Sequence, residues 1–458
     1  MKKFITNKSF YMTVLAITLP IALQNLIVFG VSMMDTVMLG RLGGIQISAC
    51  SQANQPGFVF QMFNFGLAGG GTVLASQYWG KKDMNSIKKI FSIVIRITVV
   101  ASIILTLCAL IFPDEIMKFY IKTKTAEDRL ILSEAVDYLK IVAFSYLFFG
   151  LSVCITFMLR SIEIVKIAVL SSSISFVVNV FFNWVFIFGN LGAPALGIKG
   201  AAIGTLIARI TECTLIVIYL LFVNKKLRIR LKDIISHDAL MFRDYLKYSL
   251  PVVGNEIMWA CGISLQAAIL GKLSSQILAA NSIAMVLQQL ATLITFGTGS
   301  AACVLVGKKI GEGNVEDARS TASTIMIWSV VLGIIGTITI ILLRKPFVNI
   351  YNITASTKVL AKNLLIITAV LVFFISISVN SIVGVLRGAG DTKFTFRLEM
   401  TALWLFAIPI GALAGFLFRF PILLTYACLK IDEPIKAFFA YYRTTKKSTY
   451  KSVTRDIL

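Results

Sequence analysis

Charged side chains and histidine are scarce in this sequence, and their scarcity excludes most soluble proteins. Charged residues fill 14% of the 458 positions, whereas soluble domains average about 25%, and 57% of the residues are hydrophobic. No stretch between the apolar segments is long enough to bury a core of its own. We therefore expect a polytopic membrane protein and not a soluble enzyme.

The residue groups that carry metal, redox or phosphate chemistry are also missing. The seven cysteines all lie in apolar segments without C-x-x-C spacing, so we expect them to serve packing, not zinc binding or disulfides. The one histidine, His237, falls in a basic connection and is expected to be solvated. The run LAGGGT at 67–72 lacks the G-K-[ST] ending of a phosphate-binding loop, and no Ser/His/Asp grouping appears. We expect no catalysis, no cofactor and no use of ATP by this chain.

Long apolar segments dominate the sequence instead. About 20 such residues cross a bilayer, and twelve segments reach that length. They occupy residues 11–38, 46–77, 91–112, 132–158, 164–189, 197–222, 243–270, 277–307, 321–343, 357–385, 394–417 and 420–441. The sequence predicts an all-α membrane protein with 12 transmembrane helices.

The basic residues indicate how these helices are oriented. With the N-terminus placed inside, 27 of the 44 Lys and Arg residues fall in the inner connections and 12 in the outer ones. Such an excess marks the cytoplasmic side, so we expect a multi-pass protein of the cell (inner) membrane with both termini cytoplasmic. The net charge of +22 then needs no nucleic-acid partner. Membrane lipids are the expected contact of the long basic connection at 224–247.

The two halves of the chain repeat each other. LPIALQNLIVFGVSMMDTVMLGRLG, from Leu19, matches LPVVGNEIMWACGISLQAAILGKLS, from Leu250, at an offset of 231 residues. FGLAGGGTVLASQYWGKKD, from Phe65, matches FGTGSAACVLVGKKIGEGN, from Phe296, at the same offset. A third pair, LRSIEIVK and LRGAGDTK, has an offset of 227. Because each half has an even number of helices, both insert with the same orientation.

The repeat predicts two pseudo-symmetric six-helix bundles with a cleft between them. We place an N-lobe at 1–222, a basic cytoplasmic linker at 223–242, a C-lobe at 243–441 and a basic tail at 442–458. Rocking of the lobes would expose the cleft to one side of the membrane and then to the other. We expect the protein to be a monomer.

Two acids stand out in the paired helices, because a carboxylate at membrane depth is costly and is a functional candidate. Asp35 lies about 36 Å along the first helix from Tyr11, so it either serves a function or meets water at the helix end. Glu256 lies near mid-membrane in the seventh helix. In the repeat, Asp35 corresponds to Gln266 and Glu256 to Asn25, so each lobe carries its own acid at a different place.

Uncharged polar residues accompany Asp35. Gln24 lies about three turns before it on the same face of the helix. The fifth helix carries one polar stripe, which consists of Ser172, Ser175, Asn179 and Asn183. The stripe either joins helices by hydrogen bonds or lines a cavity beside Asp35, where its amides could orient a carboxylate or coordinate a cation.

The second lobe and the apolar surfaces offer further candidates. Polar or aromatic side chains near Glu256 or in neighbouring helices are Asn255, Trp259, Gln266, Gln288 and Asn380. Arg209 and Glu212, spaced i, i+3, are expected to form a structural pair. Adaptable apolar side chains that either contact a ligand or serve packing are Met33, Met34, Phe60, Met62 and Phe63.

Over essentially its whole length the sequence resembles the multidrug and toxic compound extrusion (MATE) family of secondary transporters. The stretches that carry the resemblance are LPIALQNLIVFGVSMMDTVMLGRLG, ASQYWGKKD, NVFFNWVFIFG…GAPALGIKGAAIGTLIAR, LPVVGNEIMWACG and LRGAGDT. The resemblance implies a V-shaped pair of six-helix lobes. It also implies antiport, in which Na⁺ or H⁺ enters while an amphiphilic, usually cationic compound leaves.

The resemblance also assigns roles to residues. Asp35 matches the family's coupling-ion carboxylate, so Na⁺ at Asp35 is the one metal expected, and Asn179 matches an asparagine of the same network. Asn183 stands where several members have an aspartate, which puts a two-aspartate proton relay in doubt. Thr205 matches a threonine of that network, and Glu256 matches a seventh-helix acid. The tenth helix departs from the family because it has no acid, and Asn380 is its nearest polar residue.

These observations favour a cation-coupled exporter of amphiphilic compounds that works by alternating access. Two alternatives remain. A flippase for lipid-linked precursors would line its cleft with several basic residues, and the predicted mid-membrane helices are poor in them. A sensor or scaffold that transports nothing would need a sizeable soluble domain or a long tail, and the tail after Tyr442 is short.

Overall fold

The computed structural model describes residues 4–5, 7–121, 125–235 and 238–455, so His237 lies outside the described residues. Within these ranges the first half forms nine helices: α1 (Lys8–Gly40), α2 (Gly44–Ala53), α3 (Gln55–Gly80), α4 (Met84–Ile111), α5 (Pro113–Tyr120), α6 (Ala126–Val142), α7 (Ser145–Ser161), α8 (Lys166–Phe188) and α9 (Ile198–Ile218). A 3-10 turn at Asn190–Gly192 and a π-helical turn at Tyr219–Val223 complete this half.

A short helix, α10 (Leu231–Ile235), lies in the connection between the halves. The second half contains α11 (Ala239–Leu273), α12 (Ser275–Gly311), α13 (Val315–Asn349), α14 (Ala355–Val379), α15 (Thr392–Glu399), α16 (Ile408–Ala412), α17 (Ile422–Leu429) and α18 (Asp432–Thr445). Its π-helical turns are Asn380–Leu386, Met400–Ala407 and Leu413–Leu417, and a 3-10 turn follows at Lys447–Thr449. The described residues form no strand.

The predicted all-α membrane architecture is confirmed. In the described part of the chain ten helices are long and apolar enough to cross a membrane, or eleven if the bent pair α6 and α7 forms one span. The twelfth predicted segment, 420–441, is not one continuous helix. It breaks at Lys430 and Ile431, between α17 and α18.

The sequence repeat is visible in local structure. Asp83 caps α4 by accepting a hydrogen bond from the Ser86 amide at 3.0 Å, and Asn314, its repeat partner, caps α13 by accepting one from the Asp317 amide at 3.0 Å. Each cap satisfies an amide that the first helical turn leaves free. Equivalent residues therefore begin equivalent helices in the two halves.

Equivalent glycines also bring the halves together. A Cβ on Gly66 of α3 would overlap the backbone of Val253 in α11, and a Cβ on Gly297 of α12 would come within 2.8 Å of the Thr18 carbonyl oxygen in α1. Gly66 and Gly297 are repeat partners. Small residues here let the helix backbones approach closely, as is typical of membrane proteins.

The lobes contact each other near one end of the molecule, which we call the terminal face because it carries residues 4–5 and 7–10, α10 and the tail up to 455. One buried cluster at this end joins Ile17 and Ile21 of α1 to Ala301 and Leu305 of α12. At the opposite face the large apolar clusters each belong to one half only, within 38–202 and within 269–429. The cleft therefore opens at the opposite face.

The connection between the lobes is fixed to α4. The Arg230 amide and the Lys88 ammonium donate to the Asp233 carboxylate at 2.9 and 3.3 Å. These contacts hold the pKa of Asp233 below its usual range. The carboxylate therefore stays charged at neutral pH and keeps the connection on the first half.

Candidate functional site

Asp35 and the polar stripe of the fifth span meet in the first lobe. The Asn183 Nδ2 donates to Asp35 Oδ1 at 2.5 Å and to Asn179 Oδ1 at 3.3 Å. Ser172, Ser175, Asn179 and Asn183 are all at least nine-tenths buried, so α8 turns its polar stripe towards the interior of the lobe. Asn179 and Asn183 of the stripe therefore lie at Asp35, whereas Ser175 donates to the Ala208 carbonyl of α9 at 2.9 Å. The stripe joins helices by hydrogen bonds, which is one of its two interpretations.

Three polar atoms around this group have no hydrogen-bond partner among the described residues. They are Asn179 Nδ2, Asn183 Oδ1 and Thr205 Oγ1. Gly204, the neighbour of Thr205, faces Asn183 so closely that a Cβ there would overlap the amide oxygen. The Asn183 amide and the Thr205 hydroxyl thus lie where α8 and α9 meet.

The oxygens of this group fit a coupling ion. A carboxylate, an amide oxygen and a hydroxyl oxygen are ligands that hard cations such as Na⁺ accept. The same carboxylate could instead hold H⁺. No metal ion is needed to explain the fold here, but buried polar atoms without a partner are unusual and point to a ligand or water.

Gln24 belongs to a second polar network. The Arg160 Nη2 donates to Gln24 Oε1 at 2.5 Å, and Gln24 Nε2 donates to the Ser172 hydroxyl at 3.2 Å. Ser172 in turn donates to Glu212 Oε1 at 2.8 Å, and Arg209 pairs with the other oxygen of Glu212 at 2.8 Å. The expected Arg209–Glu212 pair is present, and it is one end of a longer chain of polar contacts.

The two networks follow one another along the same pair of helices, α1 and α8. Gln24 and Asp35 are eleven residues apart on α1, and their partners Ser172 and Asn183 are eleven residues apart on α8. Both pairs therefore face the same seam, but Gln24 does not touch Asp35. The sequence correctly predicted that Gln24 and Asp35 share one face of α1, but it did not predict that they belong to two separate networks.

In the second lobe Glu256 has a charged partner. The Arg387 Nη2 donates to Glu256 Oε1 at 2.6 Å, and the Arg387 side chain is 6% exposed. A Cβ on Gly69 of α3 would lie 3.7 Å from Arg387 Nη1, so this ion pair sits against the first lobe. The charge of Glu256 is thus offset by Arg387, a partner that the sequence analysis did not predict.

Arg160 and Arg387 are the functional candidates that the sequence reasoning missed. They were assigned to inner loops, but both end helical segments and are buried. A signal was available, because both arginines follow a leucine in the third repeat pair, LRSIEIVK and LRGAGDTK.

The remaining polar candidates of the second lobe are not brought together. Gln266 lies about 15 Å along α11 from Glu256, where its Nε2 donates to the Leu429 carbonyl at 2.6 Å and its Oε1 accepts from Lys430 at 2.7 Å. Gln266 thereby supplies hydrogen-bond partners to the polar groups at the break between α17 and α18. Asn380 is buried with its Nδ2 on the Ser376 carbonyl at 2.8 Å.

The other second-lobe candidates differ in their surroundings. Asn255 is buried, and within the described residues its Oδ1 has no partner. Trp259 and Gln288 are half-buried. None of these observations places them in one site with Glu256.

The apolar candidates divide into packing and cavity residues. Phe60 and Met62 are buried, and Phe60 packs on Tyr146, as the packing interpretation predicts. Phe63 is half-buried and Met33 is exposed. Met34 lines a cavity of about 540 Å³ between α1 and α8, whose other lining residues are Val37, Met38, Arg41, Phe176, Val177, Val180, Phe181, Trp184 and Phe188.

This cavity adjoins the Asp35 group along the chain, because Met34 precedes Asp35 and Met38 follows one turn later. Apart from Arg41, its walls are aliphatic, aromatic and thioether surfaces.

A model of the MatE family matches residues 20–185 and 251–413, one match in each half. The chain belongs to the MatE family.

Curated relatives in this family are distant in sequence but cover most of the chain. The probable multidrug resistance protein NorM of Thermotoga maritima is 22% identical over 395 residues, which is 86% of this chain and 83% of the relative. The multidrug resistance protein MdtK of Yersinia enterocolitica is 24% identical over 419 residues, or 91% and 89% of the two chains.

Solved MATE structures share the fold. An outward-facing multidrug resistance MATE transporter has a TM-score of 0.84 at 15% identity and covers 96% of both chains. The eukaryotic MATE transporter AtDTX14 has a TM-score of 0.82 at 18% identity and covers 96% of this chain and 97% of its own. The predicted pair of six-helix bundles is therefore confirmed.

Proposed function

We propose that this chain is a multidrug efflux transporter that exchanges H⁺ or Na⁺ for amphiphilic, cationic compounds. Membership of the MatE family and relatives named multidrug resistance proteins support export over catalysis. The observation that carries the ion-coupled part is the Asp35 group, in which the carboxylate accepts from the Asn183 amide and contacts no cation among the described residues. Buried polar atoms of Asn179, Asn183 and Thr205 lack partners there.

Sidedness follows from the basic residues and the closed terminal face. We propose that the terminal face is cytoplasmic and that the chain lies in the cell (inner) membrane with both termini inside. The cleft, which opens at the opposite face, then faces outwards. This is the state in which drug leaves and the coupling ion enters.

Coupling requires that ion and drug bind the two states differently. Helix α1 is the element both ligands share, because Asp35 lies between Met34 and Met38, which line the apolar cavity. Ion binding to Asp35 with Asn179, Asn183 and the α9 hydroxyl would shift α1 and weaken drug binding there. Drug entering from the inside would then favour ion release.

The apolar walls and the acid define the substrate class. Phe176, Phe181 and Trp184 offer aromatic faces that attract cations, and an ionised Asp35 adds a negative charge nearby. Glu256 contributes less to this attraction than the sequence suggested, since Arg387 already neutralises it. An amphiphilic cation would therefore be drawn to the first lobe.

Lipid-linked precursor flipping is the alternative favoured by one observation, the two buried arginines. A pyrophosphate needs basic groups that are free to bind it. Arg387 is already paired with Glu256, and Arg160 is bound to Gln24. Export of amphiphilic cations therefore accounts for the arrangement better.

The experiment is efflux of a fluorescent lipophilic cation from proteoliposomes, with Na⁺ and pH gradients imposed separately. We expect one of the two gradients to drive efflux by the wild type and neither to drive it in Asp35→Asn. The matched control is Asp137→Asn in the same lobe, because Asp137 is a more exposed acid paired with Lys199. Efflux by Asp35→Asn against an imposed gradient would contradict the central role of Asp35.

A further inference from the structure

A group of charged side chains is buried in the second lobe, away from Glu256. The Lys436 ammonium on α18 lies 2.9 Å from Asp432 Oδ2, 2.8 Å from Glu433 Oε1 and 3.1 Å from Glu399 Oε1 at the end of α15. Exposures of these side chains range from 4% to 15%. We call these four residues the Lys436 cluster.

The charges of the Lys436 cluster do not balance. Three ionised carboxylates and one ammonium would leave a net charge of −2 in a buried region, which is costly in a membrane protein. In the described part of the chain the surroundings offset this charge only in part, and counting Lys430 still leaves one negative charge. From α14 the Ser378 hydroxyl donates to Glu433 at 2.9 Å, and the nearby Lys430 ammonium is directed to Gln266.

The other charged groups of the neighbouring helices are paired or exposed. Arg443, on α18, pairs with Asp391 just before α15 at 2.7 Å, and Arg387 pairs with Glu256. Lys393 and Arg397 of α15 are exposed. Buried carboxylates therefore outnumber buried cations in the Lys436 cluster.

An unpartnered oxygen indicates where a ligand would bind. Asp432 Oδ1 is buried and has no hydrogen-bond partner among the described residues, although the other oxygen of the same carboxylate contacts Lys436. A buried acceptor without a donor is unfavourable. A metal cation would be repelled by the ammonium at the centre, whereas a proton removes one negative charge and supplies the missing donor.

We propose that the Lys436 cluster is a proton-binding site of the second lobe. One proton is shared by the carboxyl groups of Glu399, Asp432 and Glu433 and is held by the repulsion among them. The inference rests on the proposed ion-coupled export, to which it adds a second titratable site. It differs from the Asp35 group, because a fixed ammonium here takes the place of amides and a hydroxyl.

The helices that carry the Lys436 cluster are irregular at this point. Glu399 is followed directly by the π-helical turn Met400–Ala407, and Asp432 begins α18 after the break at Lys430 and Ile431. Turns of this kind occur at functional sites and hinges. Gain or loss of the proton would change the attraction between α15 and α18, and so would act on the two irregular segments together.

The experiment measures protonated carboxyl groups directly in the full chain. Infrared difference spectra between acidic and alkaline buffers report the carbonyl band of a carboxylic acid. We expect Glu399→Gln and Asp432→Asn each to lose or shift one such band that is present in the wild type. Asp391→Asn, which removes an acid paired one to one with Arg443, should leave that band unchanged.

A transport measurement separates this inference from the proposed function. If wild-type liposomes show no ion-driven efflux, the proposed function fails whatever the spectra show. If the wild type exports but Glu399→Gln, Asp432→Asn and Glu433→Gln all keep every carboxylic-acid band of the wild type, the Lys436 cluster does not bind a proton. We include Glu433→Gln because we expect it to disturb folding least. The Glu433 side chain is the most exposed of the three and keeps a hydroxyl partner.

Discussion

The two lobes place equivalent arginines at equivalent positions and give them different partners. Arg160 of the first lobe binds the neutral Gln24, whereas Arg387 of the second binds the carboxylate of Glu256. In the repeat, Gln24 corresponds to Asn255, the residue before Glu256. A shift of one residue along the helix thus replaces an amide by an acid as the partner of the arginine.

The same difference extends to the acids. In the first lobe Asp35 receives its hydrogen bond from an amide, so its charge is not cancelled by a direct contact. In the second lobe Glu256, Glu399, Asp432 and Glu433 all touch an arginine or a lysine. The repeat therefore preserves helix packing but not electrostatics. We infer that the first lobe keeps one acid free of a direct cationic contact, whereas these four acids of the second lobe each contact a basic side chain.

The largest expected effect on stability comes from removing one acid from each lobe in turn. Glu256→Gln leaves Arg387 buried without its carboxylate, and breaking a buried ion pair in this way costs about 3–5 kcal/mol of folding free energy. Asp35→Asn removes no direct cationic partner, so its melting temperature should stay close to that of the wild type. Thermal unfolding of the purified proteins in detergent measures both.

A double substitution sharpens that result. Glu256→Gln combined with Arg387→Gln removes both charges and should recover most of the lost stability. Equal melting temperatures for Glu256→Gln and Asp35→Asn would mean that the two acids are in equivalent environments, and the comparison between the lobes would fail.

The sequence predicted the parts of this picture that depend on periodicity and repetition. The two bundles, the polar stripe Ser172, Ser175, Asn179 and Asn183, and the Arg209–Glu212 pair all follow from spacing along single helices. The offset of 231 residues also anticipates equivalent helix caps and glycine contacts. These features either depend on residues close in sequence or recur at the fixed offset between the two halves.

Contacts between distant helices were not predictable in this way. Gln266 and Lys430 are 164 residues apart, and only the fold shows that they meet at a helix break. Arg160 and Arg387 were assigned to loops, because apolar segments locate helix ends only to within a few residues. The Lys436 cluster was hidden because its acids lie in two segments, 394–417 and 420–441, that were each counted as one apolar span.

A second prediction tests whether the geometry around Asp35 is specific. Gly204→Ala places a methyl group where the Asn183 amide oxygen lies, so Asn183 must move away from Asp35. Such overpacking costs about 1–3 kcal/mol, and we expect a weaker ion dependence of efflux together with a lower melting temperature. Sodium- and proton-dependent efflux and thermal unfolding are the measurements.

The control for Gly204 is Gly44→Ala, because Gly44 at the start of α2 has open space around its Cβ position. We expect wild-type efflux and stability from that variant. If Gly204→Ala kept the ion dependence of the wild type, the Asn183 contact with Asp35 would not be needed for coupling, and the first lobe would lose its special role.

The smallest expected effect concerns the contact between the lobes. Gln77 of α3 is fully buried; its Nε2 donates to the Gly388 carbonyl at 3.0 Å, and its Oε1 accepts from the Val453 amide at 2.9 Å. Gln77→Ala removes these two hydrogen bonds, which together contribute about 1–2 kcal/mol. The terminal face should open more often, and the cleft at the opposite face should close.

Electron–electron distances between spin labels on Ser48 of the first lobe and Gln276 of the second report this change, because both are exposed at the opposite face. Exposed Cys108 and Cys261 must first be replaced by serine so that they are not labelled. We expect a larger fraction of short distances in Gln77→Ala than in the control Gln289→Ala, whose side chain is exposed on α12. An unchanged distribution would mean that the remaining contacts between the lobes, which include the Glu163–Lys308 ion pair and the glycine-mediated packing, hold the terminal face shut without Gln77.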